Sequence, residues 1–197
     1  MKCPSCGAPF STPPAECPRC KLTLAQLDRK FGLVPYCSRY MSDRTERLPM
    51  EEIDALRSLL RVFHKKFPQI VFCVLVIDLG EEVSISEYGF WLINRARFGG
   101  AGIIGAKNFD LFFVIDPKGR AAGLIAGYGL EAYLSEQDLQ DALAVANSGF
   151  DAGDLIRGMR ECIEFLTIRV REIVLRIEES RALENRAAIL TANSDAS

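Results

Sequence analysis

Two matched cysteine pairs, Cys3-Pro4-Ser5-Cys6 and Cys17-Pro18-Arg19-Cys20, stand ten residues apart near the start of the chain. Cysteines separated by two residues present both sulfurs from one tight turn, and two such turns close a tetrahedral shell around one soft cation. The spacing predicts a four-cysteine zinc ribbon over residues 1–25. A closed all-sulfur shell leaves no position for water or substrate, so this metal is structural. Gly7 follows the first pair where such a turn needs a positive φ, and Pro4 and Pro18 stiffen the two turns at matching positions. Ligand identity leaves iron open as the alternative occupant. Disulfides would need an oxidising compartment and no secretory leader is expected here. A redox motif would lie where a strand meets a helix, whereas these flanks are proline-rich and polar. Some 25 residues bury too little apolar surface to fold alone, so the metal supplies the folding energy.

The remainder bounds the function more loosely. The 197 residues carry a net charge of −2 and are 49% apolar, which suits one globular domain beside the ribbon. A near-neutral chain is not a dedicated nucleic-acid binder, and the ribbon offers only Phe10 for base stacking. No run of 18 apolar residues suggests a membrane span, and a cytoplasmic, reducing setting is expected. Cys73 and Cys162 lie in apolar patterns and read as core residues. Cys37 lacks an evident base, because the lone histidine, His64, falls on a predicted helix where a packed or surface role is expected.

Residues 26–35 read as a linker between the ribbon and an α/β domain, with a short helix near residues 22–27. Ile53, Leu56, Leu59, Leu60 and Phe63 recur at helical spacing within residues 48–66. The unbroken apolar run from Ile70 to Ile77 predicts a buried central strand. A helix opening near Ser84 or Ser86 follows, then strands over residues 111–115 and 120–126 joined by the turn Asp116-Pro117-Lys118-Gly119. Helices from Ser135 and from Asp154 complete a small mixed sheet with helices on both faces, an α/β domain. Leu155, Met159, Cys162, Leu166, Val170, Ile173 and Ile177 form one stripe on the last helix. Its extension over 167–191 either caps the sheet or pairs with a second copy as a homodimer, and residues 192–197 form a frayed tail.

Two glycine motifs remain. Gly100-Ala-Gly102-Ile-Ile-Gly105 fits the dinucleotide pattern but follows a helix and leads into a strand, the reverse of the required context. It reads as a loop, with Arg95, Arg97 and Lys107 around it. Gly127-Tyr128-Gly129-Leu130-Glu131 ends a strand where the backbone turns or approaches another segment closely. With Leu134, the Phe150–Asp154 segment and Gly158, this motif resembles the TPM domain family. That family includes thylakoid-lumen proteins linked to photosystem II repair and many bacterial proteins. The resemblance covers residues 36–166 and implies a compact α/β sandwich, and acid phosphatase activity with divalent metal binding has been proposed for plant members. It carries acidic positions onto Asp43 and Glu131; Asp110 stands in Asn108-Phe109-Asp110, where the family has Asn-Gly.

Three functions are therefore weighed. The first is an accessory protein whose ribbon docks to a protein partner. The second is a phosphatase-like enzyme in which Asp43, Asp110 and Glu131 hold magnesium or calcium, hard cations suited to carboxylate oxygens. The third is a nucleic-acid-associated ribbon protein. The absence of a nucleophile–base pair and of basic excess favours the first.

Overall fold

A computed structural model of the chain describes residues 2–10, 15–34, 36–80, 83–96 and 109–194, with side chains to residue 186. The Gly100–Gly105 motif, Arg97 and Lys107 lie outside the described residues. The elements in chain order are α1 (Leu24–Phe31), β1 (Met41–Asp43), α2 (Met50–Lys66), β2 (Val71–Val76), α3 (Ile85–Arg95), β3 (Asp110–Asp116), β4 (Ala121–Ala126), α4 (Glu136–Asp151) and α5 (Leu155–Ser194).

The four strands form one mixed sheet in the order β1-β2-β3-β4. β1 and β3 both run parallel to β2, and β4 returns antiparallel beside β3. Every residue of β2 and β3 is buried, as an apolar run covered on both faces requires. Alternation then assigns two cores. Phe72, Val74, Val76 and Phe113 face α2, α4 and α5. Cys73, Leu75, Phe112 and Val114 face α1 and α3. Each large apolar side chain so buried contributes about 1.5–3 kcal/mol.

Two helix contacts depend on glycine. A Cβ on Gly158 of α5 would lie 2.5 Å from the Phe150 ring and 2.7 Å from the Ala146 carbonyl oxygen of α4. A Cβ on Gly89 of α3 would lie 2.3 Å from Cδ1 of Ile125 in β4. Ser135 caps α4 in a reciprocal box with Asp138, whose carboxylate also takes a bond from Arg169 of α5.

The structure adds three features to the sequence reading. β1, only three residues long, carries too short a pattern to be legible. The short helix expected near residues 22–27 is α1, which opens on a Thr23–Gln26 capping box and buries Leu27 to 2% exposure against the α3 face. On α5 the predicted stripe is buried from Met159 to Ile173, so the helix covers the core well beyond Thr167 before it leaves the body.

Candidate metal centre

The two cysteine turns fold as near copies. In the first, Cys3 N–H donates to the Ala8 carbonyl and Gly7 N–H to the Cys3 carbonyl. In the second, Cys17 N–H donates to the Leu22 carbonyl and Lys21 N–H to the Cys17 carbonyl. Gly7 and Lys21 occupy the same place and share a left-handed backbone, with φ of 71° and 64°. Glycine adopts this region freely, whereas a residue with a Cβ does so at a cost of about 1–2 kcal/mol. The sequence pointed to Gly7 and concealed its counterpart.

These turns bring four sulfurs together. Cys3 Sγ lies 3.5 Å from Cys20 Sγ and Cys6 Sγ lies 3.6 Å from Cys17 Sγ, with all four within 4.8 Å of one another. The sulfurs of a tetrahedral shell with metal–sulfur bonds of about 2.3 Å stand about 3.8 Å apart. A disulfide would need about 2.05 Å. The donor set therefore fits a single thiophilic cation. Backbone N–H groups of Cys20 and Arg19 help hold the Cys17 thiol down at about 6. Burial pushes Cys3 up to about 12. A cation that displaces both protons would even out this asymmetry.

The ribbon is seated on the body. Phe10 meets Phe90 of α3 edge-on at 6.2 Å between ring centroids, and Lys2 pairs with Glu136 at the start of α4. Asp28 of α1 accepts from Trp91 Nε1 at 2.9 Å and from Arg95 Nε and Nη2 at 2.9 and 2.8 Å. Those bonds, Arg95 first, lower the Asp28 carboxyl below its usual range. The sequence analysis missed this anchor. Its one signal was a single tryptophan in an apolar helix, whose N–H needs a buried acceptor. Between the first cysteine turn and the body lies a cleft of about 620 Å³. Phe10, Phe90, Leu124 and Leu139 supply its apolar walls and Glu131 and Ser135 its polar ones. β4, half-buried and last in the strand order among the described residues, borders it.

The three carboxylates expected to share a hard cation do not converge. Asp43 is level with Val76 at one end of β2 and Asp110 with Val71 at the other. At about 3.3 Å per residue the sheet holds them more than about 15 Å apart. Asp43 instead caps the segment before α2, accepting from Thr45 N–H and Oγ1 at 2.8 and 2.7 Å and from Leu48 N–H at 3.1 Å. Despite burial, these bonds hold its carboxyl below the ordinary range. Asp110 is buried in β3, and its carbonyl accepts from Gly127 N–H at 2.8 Å. That bond carries the β3–β4 ladder one residue past Ala126. Glu131 lines the cleft near the Asp110 end of the sheet. Among the described residues, the four cysteines are the one group of three or more potential ligands with this convergence. His64 is a packing residue: Phe72 N–H donates to its Nε2 at 3.0 Å, and burial lowers it to about 4.

No protein-family model and no curated protein matches the chain. Solved structures do. The BA42 protein of the psychrophilic bacterium Bizionia argentinensis is similar at TM-score 0.55 and 13% identity, covering 66% of this chain and 86% of its own. An N-terminal domain of a P. gingivalis protein aligns at TM-score 0.53 and 17% identity, covering 76% and 88%. The N-terminal domain of the cg2496 protein of Corynebacterium glutamicum aligns at 0.51 and 15%, covering 65% and 77%. At these identities the likeness concerns the fold. The class is an α/β domain with a four-strand mixed sheet, carrying a four-cysteine cluster at one end and a long helix at the other. No helix among the described residues is long and apolar enough to cross a membrane.

Proposed function

We propose that this chain is a zinc-stapled accessory protein whose ribbon and α/β body together hold an extended segment of a protein partner. Zinc fills the four-thiol cluster, folds the ribbon and so fixes one wall of the cleft. The reading rests on one observation: the ribbon, seated through Phe10 and Lys2, borders a cleft beside β4, which is the last strand of the sheet among the described residues. Main-chain groups on such an edge hydrogen-bond an added strand, while flanking pockets select its side chains. The TPM-like reading of the body belongs to this proposal too, supported by Gly127–Glu131 and by the role of Gly158 in helix packing. A phosphatase reading loses its proposed cation site, because Asp43 and Asp110 lie at opposite ends of the sheet.

Affinity capture with the zinc-loaded full chain tests the reading. Ser86 is exposed and lines the cleft, so Ser86→Trp fills it without entering the core. A partner retained by the parent chain and lost by Ser86→Trp is expected. A partner held equally by both chains places the interface elsewhere.

A further inference from the structure

Val74 N–H of β2 donates to the Tyr40 carbonyl at 2.8 Å, but two residues earlier the β2 edge meets a side chain, because β1 begins only at Met41. That side chain is His64 of α2, whose Nε2 lies 3.0 Å from both the N–H and the carbonyl oxygen of Phe72. The His64 ring is 7% exposed and stacks on Tyr40 at 5.0 Å between centroids. Its other nitrogen, Nδ1, is buried without a hydrogen-bond partner. Two guanidiniums attend the same tyrosine: Arg39 Cζ lies 5.5 Å and Arg61 Cζ 5.6 Å from its ring centroid. Arg39 Nε is buried and unpaired as well, so two of the three buried side-chain nitrogens and oxygens without partners among the described residues belong to this cluster. Neither arginine has a carboxylate partner among the described residues. Nor does α2 supply one: between Asp54 and Asp78 the chain carries Arg57, Arg61, His64, Lys65 and Lys66 and no acid.

We propose that Arg39, Arg61 and His64, gathered about Tyr40 at the β1 edge of the sheet, bind a phosphate group. The unpaired nitrogens select this chemistry. A guanidinium held over a ring face keeps N–H donors for a second acceptor, and two guanidiniums match the charge of a phosphate dianion. His64 narrows the choice further. With Nε2 engaged by Phe72, Nδ1 is left as a donor or as an acceptor, according to which nitrogen carries the ring proton. A phosphate oxygen accepts in the first case and, singly protonated, donates in the second, whereas an ionised carboxylate only accepts. Arg61 is exposed while Arg39 and Tyr40 are half-buried, so the ligand enters from the Arg61 side. β1 and β4 stand at opposite ends of the strand order, which separates this site from the cleft beside β4.

His64 is the only histidine, so its ring signals in an NMR spectrum report on the site directly. Titrating the full chain with sodium phosphate near neutral pH is expected to shift those signals saturably, while sodium chloride at equal ionic strength leaves them in place. Arg61→Gln, at an exposed position, removes a charge-assisted donor and is expected to raise the phosphate dissociation constant about tenfold. Arg57→Gln, one turn earlier on α2 and already paired with Asp54, is expected to leave it unchanged. Methyl phosphate separates the two sources of the group: a matching shift assigns the site to a phosphate ester, and a shift with inorganic phosphate alone assigns it to the free ion. Absence of a saturable shift with either phosphate overturns the proposal. So does an equal shift with chloride, or Arg57→Gln weakening phosphate as much as Arg61→Gln.

Discussion

Single side chains carry the local geometry here, and His64 shows how. Its Nε2 lies 3.0 Å from both the N–H and the carbonyl oxygen of Phe72, and burial, outweighing that backbone bond, lowers its pKa to about 4. A group depressed on folding contributes stability that is complete above its unfolded value, about 6.5. That share is lost as pH falls toward about 4, at up to about 1.4 kcal/mol per pH unit. An NMR titration of the single histidine is expected to give a midpoint near 4; a midpoint near 6.5 would mean a solvated ring. The residue scale also marks the limit of the sequence pattern. Gly7 announced its left-handed turn, while Lys21 adopts the same backbone with nothing in its chemistry to signal it. Asp43 was legible as a special acid but not as a capping group, because its partners are backbone N–H groups that any sequence supplies.

Elements are held in register by a few close contacts, and two glycines rank them. Gly158→Ala would push a methyl against the Ala146 carbonyl and the Phe150 ring, so α4 and α5 must separate, at about 2–3 kcal/mol. Gly89→Ala meets the flexible tip of Ile125 and is expected to cost less. Chemical denaturation of the two variants checks the ranking, and equal losses would contradict it. The α1–α3 contact makes a second test. Asp28→Ala leaves the buried Trp91 N–H without its acceptor and is expected to cost about 1–3 kcal/mol and red-shift the fluorescence of the only tryptophan. An unchanged spectrum would show that α1 is not held this way. The long helices and central strands were legible because their apolar periods run for many residues. β1 was not, since three residues hold no period and its pairing with β2 is long-range. The sequence suggested the short helix beside 26–35 but not its docking, because its partner, α3, lies some sixty residues away in sequence.

At the scale of the whole molecule, a four-cysteine ribbon, a two-core α/β body and a long C-terminal helix meet in one chain. The four-thiol cluster was readable from spacing alone, because its ligands are local and their chemistry is fixed. The cleft was not, since it exists only where the ribbon and β4, a hundred residues apart, are brought together. The proposed function makes both the docking and the ribbon's fold depend on a metal in that cluster. Elemental analysis of the full chain, purified under reducing conditions, with parallel titration of reactive thiols, addresses that dependence most directly. One zinc per chain, with the four ribbon thiols protected until a chelator is added, is expected. Metal-free protein whose four ribbon thiols react freely would contradict the account.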